Sequence, residues 1–170
     1  MLLLLTFEWQ QPQVHGNAPA QRGRLRKSPE KELIDDYLSR FSKLAKPFGL
    51  SLNPIIEIED KKGGGPKTEA QLLEKHFQKN SKIIALDERG ISLTSKEFTD
   101  YLSNWVADGI GHCHLVIGGA NGLDAKILEK SNLKMSFGKM VWPHMLVRVM
   151  LAEQLYRAAT ILAGSPYHRE

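Results

Sequence analysis

The chain has a single cysteine, Cys113, among 170 residues, which excludes an intrachain disulfide framework and any zinc or iron–sulfur site built from several thiolates. Set between His112 and His114 in an apolar run, Cys113 reads as a buried structural thiol, and a reducing compartment suits such a chain. No apolar run approaches the roughly 20 residues that span a bilayer. The nearest, from Met1 to Phe7, has no basic flank and is closed by Glu8, so neither a signal peptide nor a membrane anchor is expected. Charge of one sign is scarce too. Lys and Arg number 23 against 19 Asp and Glu, a net +4 that permits an RNA partner without establishing one. The dinucleotide fingerprint G-x-G-x-x-G is missing, because Gly118-Gly119-Ala120-Asn121-Gly122 has a different spacing. Gly63-Gly64-Gly65-Pro66-Lys67 does not match a phosphate-binding P-loop either. No nucleophile with an oriented base stands out, and His112 and His114 lack a third ligand at a metal-binding spacing.

What is present is the composition of one ordinary domain, 42% hydrophobic and 25% charged. Residues 1–22 form an atypical N-terminal segment: an apolar start, then a polar stretch from Gln10 without a period, read as loop or disorder. Residues 23–170 read as a single domain. Ser28-Pro29-Glu30 is a helix start, followed by Leu33, Ile34, Tyr37, Leu38, Phe41 and Leu44 at helical spacing. Further helices are expected from the capping boxes Thr68 to Gln71 and Thr94 to Glu97, and a short one from Leu123 to Lys130. Strands are expected at Ile55 to Ile58, Ile83 to Leu86, His114 to Ile117 and Leu133 to Phe137, with residues 60–67 as a basic loop. Pro143 opens the longest helix, which runs to about Ala163 and is closed by Gly164. Its two apolar stripes, one through Leu151 and Leu155 and one through Ala152 and Tyr156, require either burial between elements of its own chain or a partner subunit. Alternating strands and helices predict an α/β fold: a parallel-rich sheet with helices on both faces.

Ligands of such sheets bind beyond the carboxyl ends of strands. Three such ends stand out here: Leu86-Asp87, Gly118-Gly119, and the segment Phe137, Gly138, Lys139, Met140, Val141 and Trp142. His144 follows directly, where it either meets a ligand or sits in a first helical turn. The tail Pro166-Tyr167-His168-Arg169 gathers an aromatic, an imidazole and a guanidinium, groups that stack on bases and bind phosphate.

Four blocks in order carry a resemblance: Ile117-Gly118-Gly119-Ala120-Asn121-Gly122-Leu123, Gly138 to Arg148, Ala152-Glu153-Gln154-Leu155-Tyr156-Arg157-Ala158, and Pro166-Tyr167-His168-Arg169. From about Gly23 to Glu170 the chain closely resembles the large-subunit (23S) ribosomal RNA pseudouridine N3-methyltransferases of the SPOUT class. The resemblance implies a C-terminal deep trefoil knot. It also implies a cytoplasmic homodimer without a membrane partner, using S-adenosyl-L-methionine and acting on N3 of a pseudouridine in the assembled ribosome. It places Leu86, Gly118 and the residues Phe137 to Trp142 around the methyl donor. His144 or His168 would assist loss of the N3 proton, and Arg148 and Arg169 would hold RNA phosphate or developing charge. Tyr167, with His168 and Arg169, would contact the RNA, reaching from one subunit into the other. Asn121 stands where relatives usually carry an acidic residue. Relatives also begin with an apolar strand running straight into a Gly-Arg-Leu turn, matched here by Gly23-Arg24-Leu25. Residues 1–7 replace that strand if the intervening segment folds back; otherwise a strand is missing and a binding-only relative without turnover is the alternative.

Overall fold

The computed structural model describes residues 2–9, 28–58, 64–119 and 121–168. The polar stretch 10–22, residues 60–63 of the 60–67 loop and Arg169 lie outside the described residues. The apolar start answers the first question the sequence poses: β1 (Leu2–Trp9) is a strand inside the sheet. Leu2, Leu3, Leu4 and Leu5 are at most 2% exposed, as expected of a strand covered on both faces. The substitute-strand alternative therefore holds, and the reading of residues 1–22 as loop is corrected for residues 2–9.

After β1 come α1 (Pro29–Ala45), a 3-10 turn (Lys46–Phe48), β2 (Leu50–Leu52), β3 (Ile56–Ile58), α2 (Gly65–Glu74) and β4 (Ser81–Ser92). Then follow α3 (Ser95–Ala107), β5 (His112–Ile117), α4 (Ala125–Lys130), β6 (Leu133–Ser136) and α5 (His144–Leu162). The sheet order is β2-β1-β5-β4-β6, with β3 also on β1. β2 and β3 lie along the same edge of β1, pairing with its two ends. Pro54, which has no N–H to donate, falls in the break between them. The sheet is mixed, which corrects the parallel-rich expectation. β4 runs parallel to β5 and β6, but β1 is antiparallel to β5, β2 and β3.

Helices cover both faces. Leu3, Leu5, Cys113 and Leu115 pack with α1, α3 and α5, whereas Leu2, Leu4 and Val116 pack with α2 and α4. Strand alternation thus sorts each residue to its layer. Ser28 caps α1 by accepting from the Lys31 N–H at 3.2 Å, and Thr94 with Glu97 closes a capping box on α3. The Thr68 box is corrected. α2 begins at Gly65 with Pro66 in its first turn, so Thr68 already lies inside the helix. α5 packs against both α1 and α3, and Leu151, Ala152, Leu155, Ala158 and Ala159 are buried within the chain. Much of both stripes is therefore satisfied by the chain's own helices. No helix among the described residues is long and apolar enough to cross a membrane.

Opposite Cys113, whose thiol pKa burial pushes up, His114 is fully buried. The Gln78 N–H donates to its Nε2 at 3.3 Å, which leaves the proton on Nδ1 to be donated to Thr6 Oγ1 at 3.0 Å. Burial, then the nearby His112 and His76, lowers its pKa to about 4 from 6.5. Between these values the unfolded chain binds a proton that the folded chain excludes, so acidification favours unfolding. The urea midpoint is expected to fall from pH 7 to pH 5, with uptake approaching one proton per unfolding event. His114→Gln should flatten that dependence, and an unchanged slope in the variant would remove His114 as its source.

Candidate active site

The ladder between β4 and β6 is interrupted. Leu86 and Ile91 both face Met135, so residues 87–90 leave the register and stand out beside the end of β6. The expectation of a strand ending at Leu86 is corrected accordingly: β4 bulges there and continues to Ser92. Gly90 permits the crossing, since a Cβ on it would lie 2.7 Å from the Lys134 and Met135 carbonyl carbons.

The bulge forms one wall of a hollow of about 590 Å³, within the size range of small-molecule sites. A second wall is the turn after β5, where Gly122 N–H donates to Gly119 O at 3.0 Å. Gly118 underlies this turn, and a Cβ there would come 2.8 Å from the Gly122 carbonyl carbon. Any side chain at 118 would push the turn away. The third wall is the segment after β6, running into the first turns of α5. The Ser136 hydroxyl donates to Gly138 O at 2.9 Å and its oxygen accepts from Gly138 N–H at 3.2 Å, which folds this segment over the hollow.

Of the residues singled out from the sequence, Leu86, Gly118, Phe137, Gly138, Met140, Val141, Trp142 and His144 line the hollow together. Lys139 does not. Met140 and Val141 are 70% and 88% exposed, an apolar lip at the mouth, and Leu146 is exposed one turn further on. The Trp142 indole N–H is buried and lacks a hydrogen-bond partner among the described residues. Sequence reasoning missed Glu88, Arg89, Leu128, Met135, Ser136 and Val147 as wall residues. The signal for Glu88 and Arg89 was the loop at the end of the β4 apolar run. Asn121 also faces the hollow.

Arg148 and Tyr167 are placed elsewhere. Arg148 is 3% exposed, and its Nη1 donates to Glu57 Oε1 on β3 at 3.0 Å. The guanidinium is committed to that carboxylate. Tyr167 rests against the middle of α5, where its hydroxyl donates to Glu153 Oε1 at 3.2 Å. Glu153 lies nine residues beyond His144, about 13 Å along the helix axis. Neither Tyr167 nor His168 lines the hollow, and His168 Nδ1 is buried without a partner among the described residues.

This hollow, at the carboxyl ends of parallel strands, falls within the span of a family model described as "Predicted SPOUT methyltransferase", which matches residues 20–168. The chain belongs to the SPOUT methyltransferase family. Curated relatives named ribosomal RNA large subunit methyltransferase H share 55% identity in Cereibacter sphaeroides and 54% in Ruegeria pomeroyi. A third, from Roseobacter denitrificans, is 52% identical. Each alignment spans 147 residues, 86% of this chain and 94% of the relative. As a SPOUT methyltransferase the chain uses a methyl donor, and β1 precedes the matched span.

Proposed function

We propose that this methyltransferase transfers a methyl group from S-adenosyl-L-methionine to N3 of a pseudouridine in large-subunit ribosomal RNA. It would act on the assembled ribosome, as a cytoplasmic homodimer whose C-terminal part follows the knotted path of its class. The observation that carries the reading is the convergence of three separate segments, at Leu86, Gly118 and residues 137–142, on one hollow. Its chemistry fits the donor. Asp87 and Glu88 against a single Arg89 suit a cationic sulfonium better than a nucleotide phosphate. The unpaired Trp142 N–H awaits an acceptor, and the glycine turns expose backbone groups to an adenosyl moiety.

S-adenosylmethionine supplies an electrophilic methyl on sulfur, so the protein's work is chiefly alignment. Leu86, Gly118, Phe137, Gly138 and Trp142 hold the donor, and the lip of Met140 and Val141 sheds water from the mouth. The N3–H of the base must lose its proton, and His144, which lines the same hollow, would receive it. His168, Tyr167 and Arg169 meet the RNA from the tail. Because the tail lies away from its own hollow, they would serve the partner's. Arg148 acts through its ion pair by fixing the start of α5, and RNA phosphate falls to Arg169. The binding-only alternative rested on a damaged first strand, and β1 stands paired on both edges.

Purified chain is expected to transfer labelled methyl from S-adenosylmethionine to ribosomes lacking the modification, at a pseudouridine N3. Tight donor binding without transfer would favour the binding-only reading, and absence of donor binding would remove the proposal.

A further inference from the structure

The tail is folded back against α5 by a connected set of contacts. At the end of the helix, Gly164 N–H donates to Ile161 O at 3.0 Å and Ser165 N–H to Thr160 O at 2.9 Å, the paired bonds that reverse a chain at a helix C-terminus. Tyr167 then settles on the helix surface. Its ring lies 4.8 Å from that of Tyr156, edge to face, and 4.9 Å from the Arg157 guanidinium carbon. The centre of this arrangement is the Glu153 carboxylate. Oε1 accepts from Arg157 Nε at 2.9 Å and from the Tyr167 hydroxyl, and Oε2 accepts from Gln154 Nε2 at 2.7 Å. Gln154 Oε1 in turn accepts from the Ser95 hydroxyl at 2.8 Å, tying the set to the first residue of α3.

Glu153 is 17% exposed, and charge-assisted hydrogen bonds to a carboxylate so placed are stronger than neutral ones. No helix needs this glutamate for its own stability beyond one i,i+4 pair with Arg157. It gathers donors from α5 and from the tail onto one carboxylate. Tyr167, whose hydroxyl pKa burial and the Glu153 charge raise to about 12, stays protonated and able to donate at any physiological pH.

We propose that Glu153 is a positioning residue for the RNA substrate: its carboxylate seats Tyr167, and so presents the C-terminal Tyr167-His168 segment in one orientation. This rests on the reading of the tail as an RNA contact. The hydroxyl and carboxylate define a pair that can be separated from the donor site, because neither lines the hollow, whose nearest wall residue on α5, Val147, is six residues or about 9 Å away along the helix axis.

The experiment uses the full chain with Glu153→Gln, Tyr167→Phe and the double variant. Methyl transfer to ribosomes lacking the modification is measured as kcat and KM, and S-adenosylmethionine affinity by calorimetry. Glu153→Gln is expected to raise KM for ribosomes about tenfold, with donor affinity held within twofold. Tyr167→Phe should shift KM in the same direction by less, and the double variant should match Glu153→Gln alone, since the two groups serve one contact. An unchanged KM, a parallel loss of donor affinity, or multiplicative effects would overturn the proposal. If the unaltered chain itself transfers no methyl group, the functional reading fails, and the seat is judged by amide hydrogen exchange. Glu153→Gln should then speed exchange at Tyr167 and His168 at least tenfold while leaving the buried turns of α5 unchanged. Equal exchange in both proteins would overturn the seat itself.

Discussion

Leu4→Asp is expected to abolish the cooperative thermal transition, whereas Leu4→Ala should lower stability by about 2–5 kcal/mol and leave the transition intact. Leu4 is 0% exposed, with Ile56 and Val116 as its partners across the two flanking strands. A carboxylate there meets no donor and no water, and its burial is far costlier than a lost methyl group. The loss also spreads. Among the described residues β2 and β3 pair with no strand other than β1, so a displaced first strand strands both of them, together with the α1 and α2 contacts they support. Against a total stability of about 5–15 kcal/mol, that is enough to unfold the domain. Circular dichroism melts of the two variants check it. A Leu4→Asp protein melting like the unaltered chain would show that residues 2–9 do not occupy the centre of the sheet.

That strand marks the boundary of what the residues disclose. The missing basic flank and Glu8 argue against a signal peptide, but periodicity alone cannot show that a four-leucine run is a strand covered on both faces. Its place was settled only by two buried layers waiting on either side. Local chemistry was read more successfully. Ser28 before Pro29, and Thr94 before Glu97, act within three residues of themselves, and both caps form as expected. The three strand ends converged because a parallel α/β arrangement brings carboxyl ends to one edge, which depends on topology and on no particular distance. Thr68 misled because Pro66, two residues earlier, also satisfies a helix start and wins by fixing φ. The bulge at residues 87–90 was illegible. It arises from the close passage of Gly90 over Lys134, a contact between residues 44 positions apart. The charge of Arg148 was legible in the sequence, but its partner Glu57, 91 residues away, was not.

The Glu57–Arg148 pair gives the second large effect. Glu57→Leu is expected to destabilise the fold by about 3–5 kcal/mol, and adding Arg148→Met to it should restore much of the loss. Arg148 and Glu57 side chains are 3% and 11% exposed, so removing the acid leaves a cation with almost no water to solvate it. The remaining neighbour is poor: Nη1 lies 3.7 Å from Met145 Sδ, a weak acceptor, and Nε already lacks a partner among the described residues. Arginine cannot escape by losing its proton. Replacing both charges with apolar side chains removes the desolvation penalty along with the attraction, which is why the double variant should be the more stable of the two. Urea titrations of the two single variants and the double variant give the coupling. Because Glu57 sits on β3 and Arg148 follows the wall residue Val147, donor affinity should weaken in Glu57→Leu and recover in the double variant. A double variant no more stable than Glu57→Leu would show that the guanidinium finds another partner, and that the pair does not govern the start of α5.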